Sequence, residues 1–145
     1  PPPDQPQEPY RVNHVGSYAF REFTSLTGHT NSDSVTSIGS YAFRDCTSLT
    51  SITIPDGVTS IGHYAFHTRT NLTSITIPAG ASRITTYAFS NGTNPTSITI
   101  PASVTNIRIS VFCTCTSLTS ITLLILSTTT VIHPCCSPLT RIATW

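Results

Sequence analysis

Cysteine is the residue type best suited to chemistry in this 145-residue chain, and four of the five cysteines lie in its last third. They are Cys46, Cys113, Cys115, Cys135 and Cys136. Together with His133, the four late cysteines could supply the thiolate and imidazole ligands that zinc prefers. Their spacing is not the usual Cys-x-x-Cys of zinc sites. The sequence therefore predicts no metal site and no cofactor.

Histidine and serine offer no stronger chemistry. His63 and His67 are four residues apart, the separation that places two metal ligands on one helix face, but no carboxylate or third histidine follows in register. We interpret them as loop residues. The chain also lacks a Gly-x-Ser-x-Gly elbow, a phosphate-binding glycine loop and paired carboxylates. We therefore expect a protein that is not an enzyme.

The element that must position all these residues is a repeat of 23 residues. The tripeptide Tyr-Ala-Phe recurs at this spacing, starting at Tyr18, Tyr41, Tyr64 and Tyr87. The segment Ile-Thr-Ile-Pro recurs in the same rhythm, starting at Ile52, Ile75 and Ile98. A fixed period of this length is typical of a solenoid, in which stacked coils bury a core that no single coil could bury alone.

The layout of one coil can be read from the segment that begins at Leu49. The alternation of Ile52 and Ile54 with outward Ser and Thr predicts a β-strand. Pro55 and the Asp-Gly after it end this strand. A second short apolar run follows, then a bend that we assign to the conformational freedom of Gly62, and then the Ala-Phe that fills the back of the coil.

The pattern VTSIGxYAFxxCTSLTSITIP resembles the repeat of BspA-type leucine-rich repeat proteins. The resemblance runs from about Tyr10 to the C-terminus, and every feature of the motif coincides between Val35 and Pro55. It implies a leucine-rich-repeat solenoid with a parallel β-sheet on one face. A short second strand and short helical or irregular segments form the back, in about five to six coils. It also implies an extracellular or cell-surface protein that acts in adhesion and protein binding without catalysis.

The chain divides into three parts. Residues 1–9 are proline-rich and should form an extended arm. Residues 10–126 carry the regular coils, although His29 and Asn31 occupy two inward strand positions and should weaken the first full coil. Residues 127–145 fit a shortened last coil or partial cap, because Ile142 matches Ile121 only with a 21-residue step. The absence of an initiator methionine suggests a processed or truncated chain.

The shortened step also places Cys136 in the same phase as Cys115. Adjacent coils lie within the roughly 4.4–6.8 Å Cα separation that a disulfide needs. One expectation is therefore a Cys115–Cys136 disulfide, and the other is a pair of buried, reduced thiols at the inward cysteine position of the repeat. Cys46 lies three coils from Cys115, roughly 15 Å away at strand spacing, and cannot pair with it.

Charge and hydropathy limit the partners. Charged residues make up 9% of the chain and the net charge is +1, so no basic stripe is available for phosphates. The most apolar run, residues 121–126, is far shorter than the roughly 20 residues that span a bilayer. We expect no binding of nucleic acid and no membrane insertion.

The outward strand positions form two columns of hydroxyl side chains. We call the eight residues the hydroxyl face: Ser51, Thr53, Ser74, Thr76, Ser97, Thr99, Ser120 and Thr122. Short hydroxyl side chains cost little entropy to fix and suit a protein or glycan ligand. Regular threonine ranks also resemble those of ice-binding solenoids. The third possibility is that these residues are what any solvated strand carries.

Two other features of the sequence bear on function. Asn71-Leu-Thr and Asn91-Gly-Thr are acceptor sequences for N-glycosylation. A solenoid also needs polar caps to prevent stacking on itself, and the sequence shows no convincing N-terminal cap. Self-association end to end into a filament is therefore an alternative function.

Overall fold

In a computed structural model of the chain, the described residues are 13–68, 71–94, 96–107, 110–124 and 141–144. They form ten short strands, whose pairings are all parallel. The strands are β1 His14–Val15, β2 Gly28–Thr30, β3 Ser37–Ile38, β4 Ser51–Thr53, β5 Ser60–Ile61, β6 Arg83–Ile84, β7 Ser97–Ile100, β8 Asn106–Ile107, β9 Ser120–Leu123 and β10 Arg141–Thr144. These are the stacked coils of the predicted leucine-rich-repeat solenoid.

The second, short strand of each coil forms an unbroken five-stranded sheet in the order β1-β3-β5-β6-β8. Its register follows the 23-residue repeat, with Ile38 opposite Ile61 and Ile84 opposite Ile107. The predicted second strand is confirmed, although each strand has only two residues. This sheet, and not the one that carries the hydroxyl face, is the continuous sheet of the solenoid.

The Ile-Thr-Ile-Pro strands form two separate sheets, in the orders β2-β4 and β10-β9-β7. The strand predicted at Ile75 is wrong, because residues 72–78 form no strand between β4 and β7. Ile75 and Ile77 are nevertheless buried, at 8% and 4% exposure. The inward side chains of this segment are therefore buried as the alternating pattern predicts, although the segment forms no hydrogen-bonded ladder with the described strands.

Strand β10 pairs with β9 so that Ile142 lies opposite Ile121. This register is the 21-residue step that the sequence indicated for residues 127–145. Strand β10 gives the last described part of the chain the same direction as the coils before it.

Two ladders of stacked aromatic rings fill the back of the coils. Five phenylalanines stack with centroid separations of 5.0 to 5.8 Å: Phe20, Phe43, Phe66, Phe89 and Phe112. The tyrosines of Tyr-Ala-Phe stack beside them at 4.9 to 5.2 Å. Because each ring lies on its counterpart one coil away, the core is continuous through the stack.

The back segments are turns, and the described residues contain no helix. The tyrosines that open these turns have left-handed backbones, with φ of 63° at Tyr18 and 53° at Tyr64. In this conformation the Tyr18 N–H donates to Ser40 O, 2.9 Å away in the next coil. The irregular back predicted from the sequence is thus a third hydrogen-bonded ladder, built from turns.

The prediction that Gly62 supplies a special backbone conformation at the bend is wrong, because no described glycine has a positive φ. A Cβ at Gly62 would instead lie 2.5 Å from the backbone nitrogen of Ser40. Glycine is needed there because the preceding coil passes too close for any side chain.

Candidate functional site

The two columns of outward side chains that form the hydroxyl face are exposed to solvent over most of their length. Six of the eight residues of the hydroxyl face are exposed, and they are Ser51, Thr53, Ser74, Thr76, Ser97 and Thr99. Ser120 and Thr122 are half-buried. The isoleucines between them point into the core, as at Ile98 and Ile100 in the buried positions of β7. The face therefore lies where the strand alternation predicted.

The residues of the hydroxyl face differ in their hydrogen bonds from a second group of serine and threonine residues. Hydroxyls beside the short strands bond to the backbone of the preceding coil, as Thr36 Oγ1 does to Asn13 O at 2.9 Å and Thr59 Oγ1 to Thr36 O at 3.3 Å. Seven residues donate to the preceding coil in this way. Five lie beside the short strands, and they are Thr36, Thr59, Ser82, Thr85 and Thr105, whereas Thr50 and Thr119 directly precede β4 and β9. These hydroxyls stabilise the coil stack.

The hydroxyls of the hydroxyl face itself make no hydrogen bond to any of the residues that the structure describes. In two of the four segments they follow a threonine whose hydroxyl is bonded, as Ser51 and Thr53 follow Thr50, and Ser120 and Thr122 follow Thr119. Each hydroxyl can donate one hydrogen bond and accept two. The face thus offers a regular array of unused donors and acceptors.

Charge is kept away from this face. No charged residue occurs in its segments 50–54, 73–77, 96–100 and 119–123. On the back, Arg44 pairs with Asp45 at 3.1 Å and its guanidinium carbon lies 5.5 Å from the Tyr41 ring centroid. A second pair joins Arg21 and Glu22 at 2.9 Å. These four segments therefore present no charge of their own, and the nearest charged residue in register is Arg141 of β10, opposite Ser120.

The hydroxyl face is interrupted in its middle. The backbone of residues 73–77 makes no hydrogen bond to the residues described on either side. The corresponding residues of other coils do, since Ser120 N donates to Thr96 O at 3.2 Å. The face is therefore a two-stranded patch and a three-stranded patch, with an unpaired segment between them.

Asn31 occupies an inward strand position that is apolar in later coils, and it is only 4% exposed. Its Nδ2 donates to Thr53 O at 2.8 Å, one coil away. A buried amide that makes a hydrogen bond destabilises the fold much less than a buried amide without a partner. The prediction of a weakened coil did not take this bond into account. The position of His29 in β2 is confirmed at the level of the backbone.

Two inward cysteines, Cys46 and Cys115, are buried, and the thiol of each donates a hydrogen bond to a backbone carbonyl oxygen. Cys46 Sγ lies 2.9 Å from Phe20 O, and Cys115 Sγ lies 3.0 Å from Phe89 O. Burial raises the pKa of the Cys46 thiol, and the nearby Asp45 adds to the rise. Cys46 is therefore a poor nucleophile, because the thiolate is the reactive form. Both residues fit the interpretation of buried structural thiols.

The described residues do not test the Cys115–Cys136 disulfide or the zinc alternative. Cys135, Cys136 and His133 lie outside them. Within the described ranges, no group of three or more His, Cys, Asp or Glu side chains could hold a metal ion. The disulfide stays a prediction.

The remaining candidate residues lie on turns. His63 is exposed, whereas His67 is half-buried with Nδ1 2.7 Å from Ser90 Oγ. Asn71 is exposed and its Nδ2 donates to Thr47 O at 2.8 Å. Asn91 is also exposed and donates to Thr68 Oγ1 at 3.1 Å. Both acceptor asparagines are accessible, so glycosylation remains a prediction.

Two other predicted segments lie partly or wholly outside the residues that the structure describes. These are the proline-rich arm, residues 1–9, and residues 127–145 apart from β10. Among the residues that are described, there is no helix of the length and apolar character needed to cross a membrane.

Comparison with known families gives one match over most of the chain. The BspA type leucine-rich repeat region matches residues 13–136 in six copies. A search of curated proteins finds no match.

The fold is shared with several bacterial leucine-rich repeat structures. A leucine-rich repeat protein of T. pallidum is 29% identical with a TM-score of 0.81, and the match covers 94% of this chain and 65% of that one. One from Bacteroides ovatus is 30% identical with a TM-score of 0.64, over 79% of this chain and 36% of that one. A leucine-rich cell surface protein of Faecalibacterium prausnitzii is 26% identical with a TM-score of 0.57, over 91% and 45%.

The chain thus spans between about a third and two thirds of the length of these proteins. The match of the family to residues 13–136 agrees with the stacked parallel coils, the aromatic ladders and the 23-residue register. The chain belongs to the BspA-type leucine-rich repeat family.

Proposed function

We propose that this chain is a non-catalytic binding module at the cell surface or outside the cell, which holds a protein or glycan ligand on its hydroxyl face. The observation that supports the proposal is that two groups of hydroxyls differ in their hydrogen-bond partners. Those beside the short strands are used within the coil stack, whereas those of the hydroxyl face have no partner among the described residues.

Family membership supports this proposal. Proteins of the leucine-rich repeat family are typically non-catalytic, and the F. prausnitzii relative is named a cell surface protein. The extended faces of solenoids are well suited to binding, because side chains on successive coils can contact one large ligand together. A role in adhesion follows from such a face if the ligand belongs to another cell or to a matrix.

The chemistry of the face favours a polar, neutral ligand. Successive coils repeat each hydroxyl at roughly the 4.8 Å spacing of paired strands. Serine and threonine have few rotatable bonds, so fixing them on a ligand costs little conformational entropy. Sugar hydroxyls and peptide groups both supply the alternating donors and acceptors that such an array can bind.

The test is a binding screen against a glycan array and immobilised matrix proteins, with a paired variant. The face variant Thr76→Lys with Thr99→Lys places two charges on the hydroxyl face. The control Ala79→Lys with Ala102→Lys adds the same charge at exposed turn positions of the same two coils. Thermal unfolding of all three proteins checks that the fold is kept.

We expect the wild type and the control to bind the same ligand, and the face variant to bind it about tenfold more weakly or worse, since charges must then be desolvated. Equal binding by the face variant and the wild type would move the ligand to another surface. A wild type that binds nothing in either screen would overturn the proposal.

A further inference from the structure

Thr85 occupies a position at which the repeat has a bend glycine. Residues 39 and 62 are glycines, and the next residue at the 23-residue spacing is Thr85. A Cβ at Gly62 would lie 2.5 Å from a backbone nitrogen of the preceding coil, closer than packed atoms allow. Because Thr85 carries a Cβ, its coil cannot approach the preceding coil as the glycine coils do. We call the boundary between the coil of residues 50–68 and the coil of residues 73–91 the Thr85 junction.

The bend itself is wider at this junction. Thr85 N donates to Ile61 O at 3.2 Å, whereas the corresponding bonds of Gly39 and Gly62 measure 2.8 and 2.9 Å. The Thr85 hydroxyl also donates to Ile61 O, at 2.9 Å. The backbone of this bend is therefore held farther from the preceding coil, and the side chain supplies a second bond to the same carbonyl.

The turns on the back of the coils are wider in the same way. Across the Thr85 junction, Tyr64 N donates to Thr86 O at 3.4 Å and Thr68 N donates to Ser90 O at 3.3 Å. Across the two junctions before it, the same two bonds measure 2.8 to 3.0 Å. Two bonds of the back are thus longer where the bend residue has a Cβ.

The corner that follows the sheet face shows that the widening is uneven. A Cβ at Gly80 would overlap Asp56 O, whereas a Cβ at Gly57 would lie 3.6 Å from Asp33 O, the equivalent atom one coil earlier. The coils are therefore closer at this corner and farther apart at the bend and the back. The short strands β5 and β6, which lie between the corner and the bend, stay paired. The coil of residues 73–91 is thus tilted relative to the preceding coil.

The sheet face loses its pairing at this same junction. Where the bend residue is glycine, Thr50 donates to Thr27 O from both its N and its Oγ1, each at 2.8 Å. Thr73 is the equivalent of Thr50 at the Thr85 junction, and it makes neither bond to any described residue. Residues 73–77 and 50–54 have the same sequence, so the cause lies outside the segment.

We propose that the Cβ of Thr85 divides the hydroxyl face, because it tilts its coil and misaligns the backbone of residues 73–77 with that of β4. A hydrogen bond weakens steeply when its angle falls below about 120°, so a small tilt is sufficient. The next junction agrees in sequence, since residue 108 is arginine rather than glycine and residues 74–77 are also unpaired with β7.

Thr85 is then a positioning residue. It lies outside the hydroxyl face, but it sets how many coils present their hydroxyls in one regular array. This consequence for ligand binding rests on the proposed function, whereas the division of the face does not.

The experiment is amide hydrogen exchange, measured by NMR on the full chain and its variants. Thr85→Gly removes the Cβ that causes the tilt. Thr85→Ala is the matched control, because it removes the hydroxyl and keeps the Cβ. Thr86→Gly is the control for added backbone flexibility one residue away. The readout is the amide of Thr73, the equivalent of the bonded Thr50 amide.

We expect the Thr73 amide to exchange at least about tenfold more slowly in Thr85→Gly than in the wild type, because it gains a bond to Thr50 O. Both controls should exchange as the wild type does. If Thr85 only stabilised its own bend, Thr85→Gly would speed exchange rather than slow it. Unchanged or faster exchange of Thr73 in Thr85→Gly overturns the proposal, as does equal slowing in Thr85→Ala.

The reciprocal variant Gly62→Ala introduces a Cβ at a junction that is paired. We expect the Thr50 amide of this variant to exchange at least about tenfold faster, relative to the amides of β9, than in the wild type. An unchanged ratio would also overturn the proposal. No ligand enters either measurement, so the division of the face and the proposed function can fail independently.

Discussion

The bend glycines Gly39 and Gly62 lie against the backbone of the preceding coil. A Cβ added to either would be 2.5 Å from a backbone nitrogen, that of Ser17 or Ser40. Atoms of a packed backbone cannot move away as the end of a side chain can. The size of the residue, rather than its backbone freedom, therefore decides what is tolerated at these positions.

Gly62 and Gly16 differ in the space around an added Cβ, so Gly→Ala substitutions at the two positions should change the free energy of unfolding differently. Gly62→Ala should lower the free energy of unfolding by about 1–3 kcal/mol, because the coils must separate to admit the methyl group. Gly16→Ala should leave it unchanged or raise it by up to about 1 kcal/mol, because nothing lies within 4 Å of the added Cβ and the unfolded chain loses entropy. Urea unfolding of the two variants measures both values. A similar change in both would contradict the steric explanation.

The left-handed tyrosines are a second residue-scale feature that sequence reasoning missed. Bulky residues seldom adopt a positive φ, yet Tyr41 and Tyr87 both do at 60°. Tyr41 N–H donates to His63 O at 2.8 Å, and its ring stacks on neighbours in both directions. The hydrogen bond and the stacking offset the backbone strain. Only the exact recurrence of Tyr-Ala-Phe in the sequence could have pointed to this turn.

At the scale of the elements, the unpaired segment is the least supported part of the sheet face. Residues 73–77 have the sequence Thr-Ser-Ile-Thr-Ile, which is identical to that of residues 96–100 and of residues 50–54. Local propensity therefore cannot explain why 97–100 form a strand and 74–77 do not. The difference lies in the contacts between coils, where the backbone of 73–77 lacks hydrogen bonds to the neighbouring coils that are described.

The identical sequences allow a direct test by amide hydrogen exchange. Intrinsic exchange rates depend on local sequence, so they are the same for Ile75 and for Ile121 of β9, which both follow Leu-Thr-Ser. We expect the amides of 74–77 to exchange at least about tenfold faster than those of β9, which lies between two strands. Site-resolved NMR gives the rates. Equal protection of the two segments would show that 74–77 pair in solution.

The elements also show how far the sequence could lead. The 23-residue recurrence was sufficient to predict parallel coils, two strands per coil and inward isoleucines, because each follows from periodicity and burial. It also placed the hydroxyl face on the outside. The break at Ile75 could not be predicted, since the pattern there is intact. Which hydroxyls are used within the stack also depends on distances between coils that no single repeat encodes.

At the scale of the whole molecule, the hydroxyl face is a set of separate patches rather than one sheet. The five-stranded sheet of short strands holds the coils together without interruption, while the face beside it is divided at residues 72–78. A polymer ligand can adapt to such a division, because it bends and uses only some of the available hydroxyls. A crystal lattice cannot adapt in this way.

Ice is the ligand for which this distinction is decisive. Ice binding by a solenoid requires flat, regularly spaced ranks of threonine, whereas here Thr76 lies in an unpaired segment and Thr122 is half-buried. We therefore expect no thermal hysteresis in nanolitre osmometry, with ice crystals growing as unshaped discs as soon as the sample is cooled below the melting point. The Thr76→Lys with Thr99→Lys variant serves as the matched control, since it should behave identically if the face does not bind ice. Hysteresis in the wild type that this variant abolishes would show that the patches act as one flat surface.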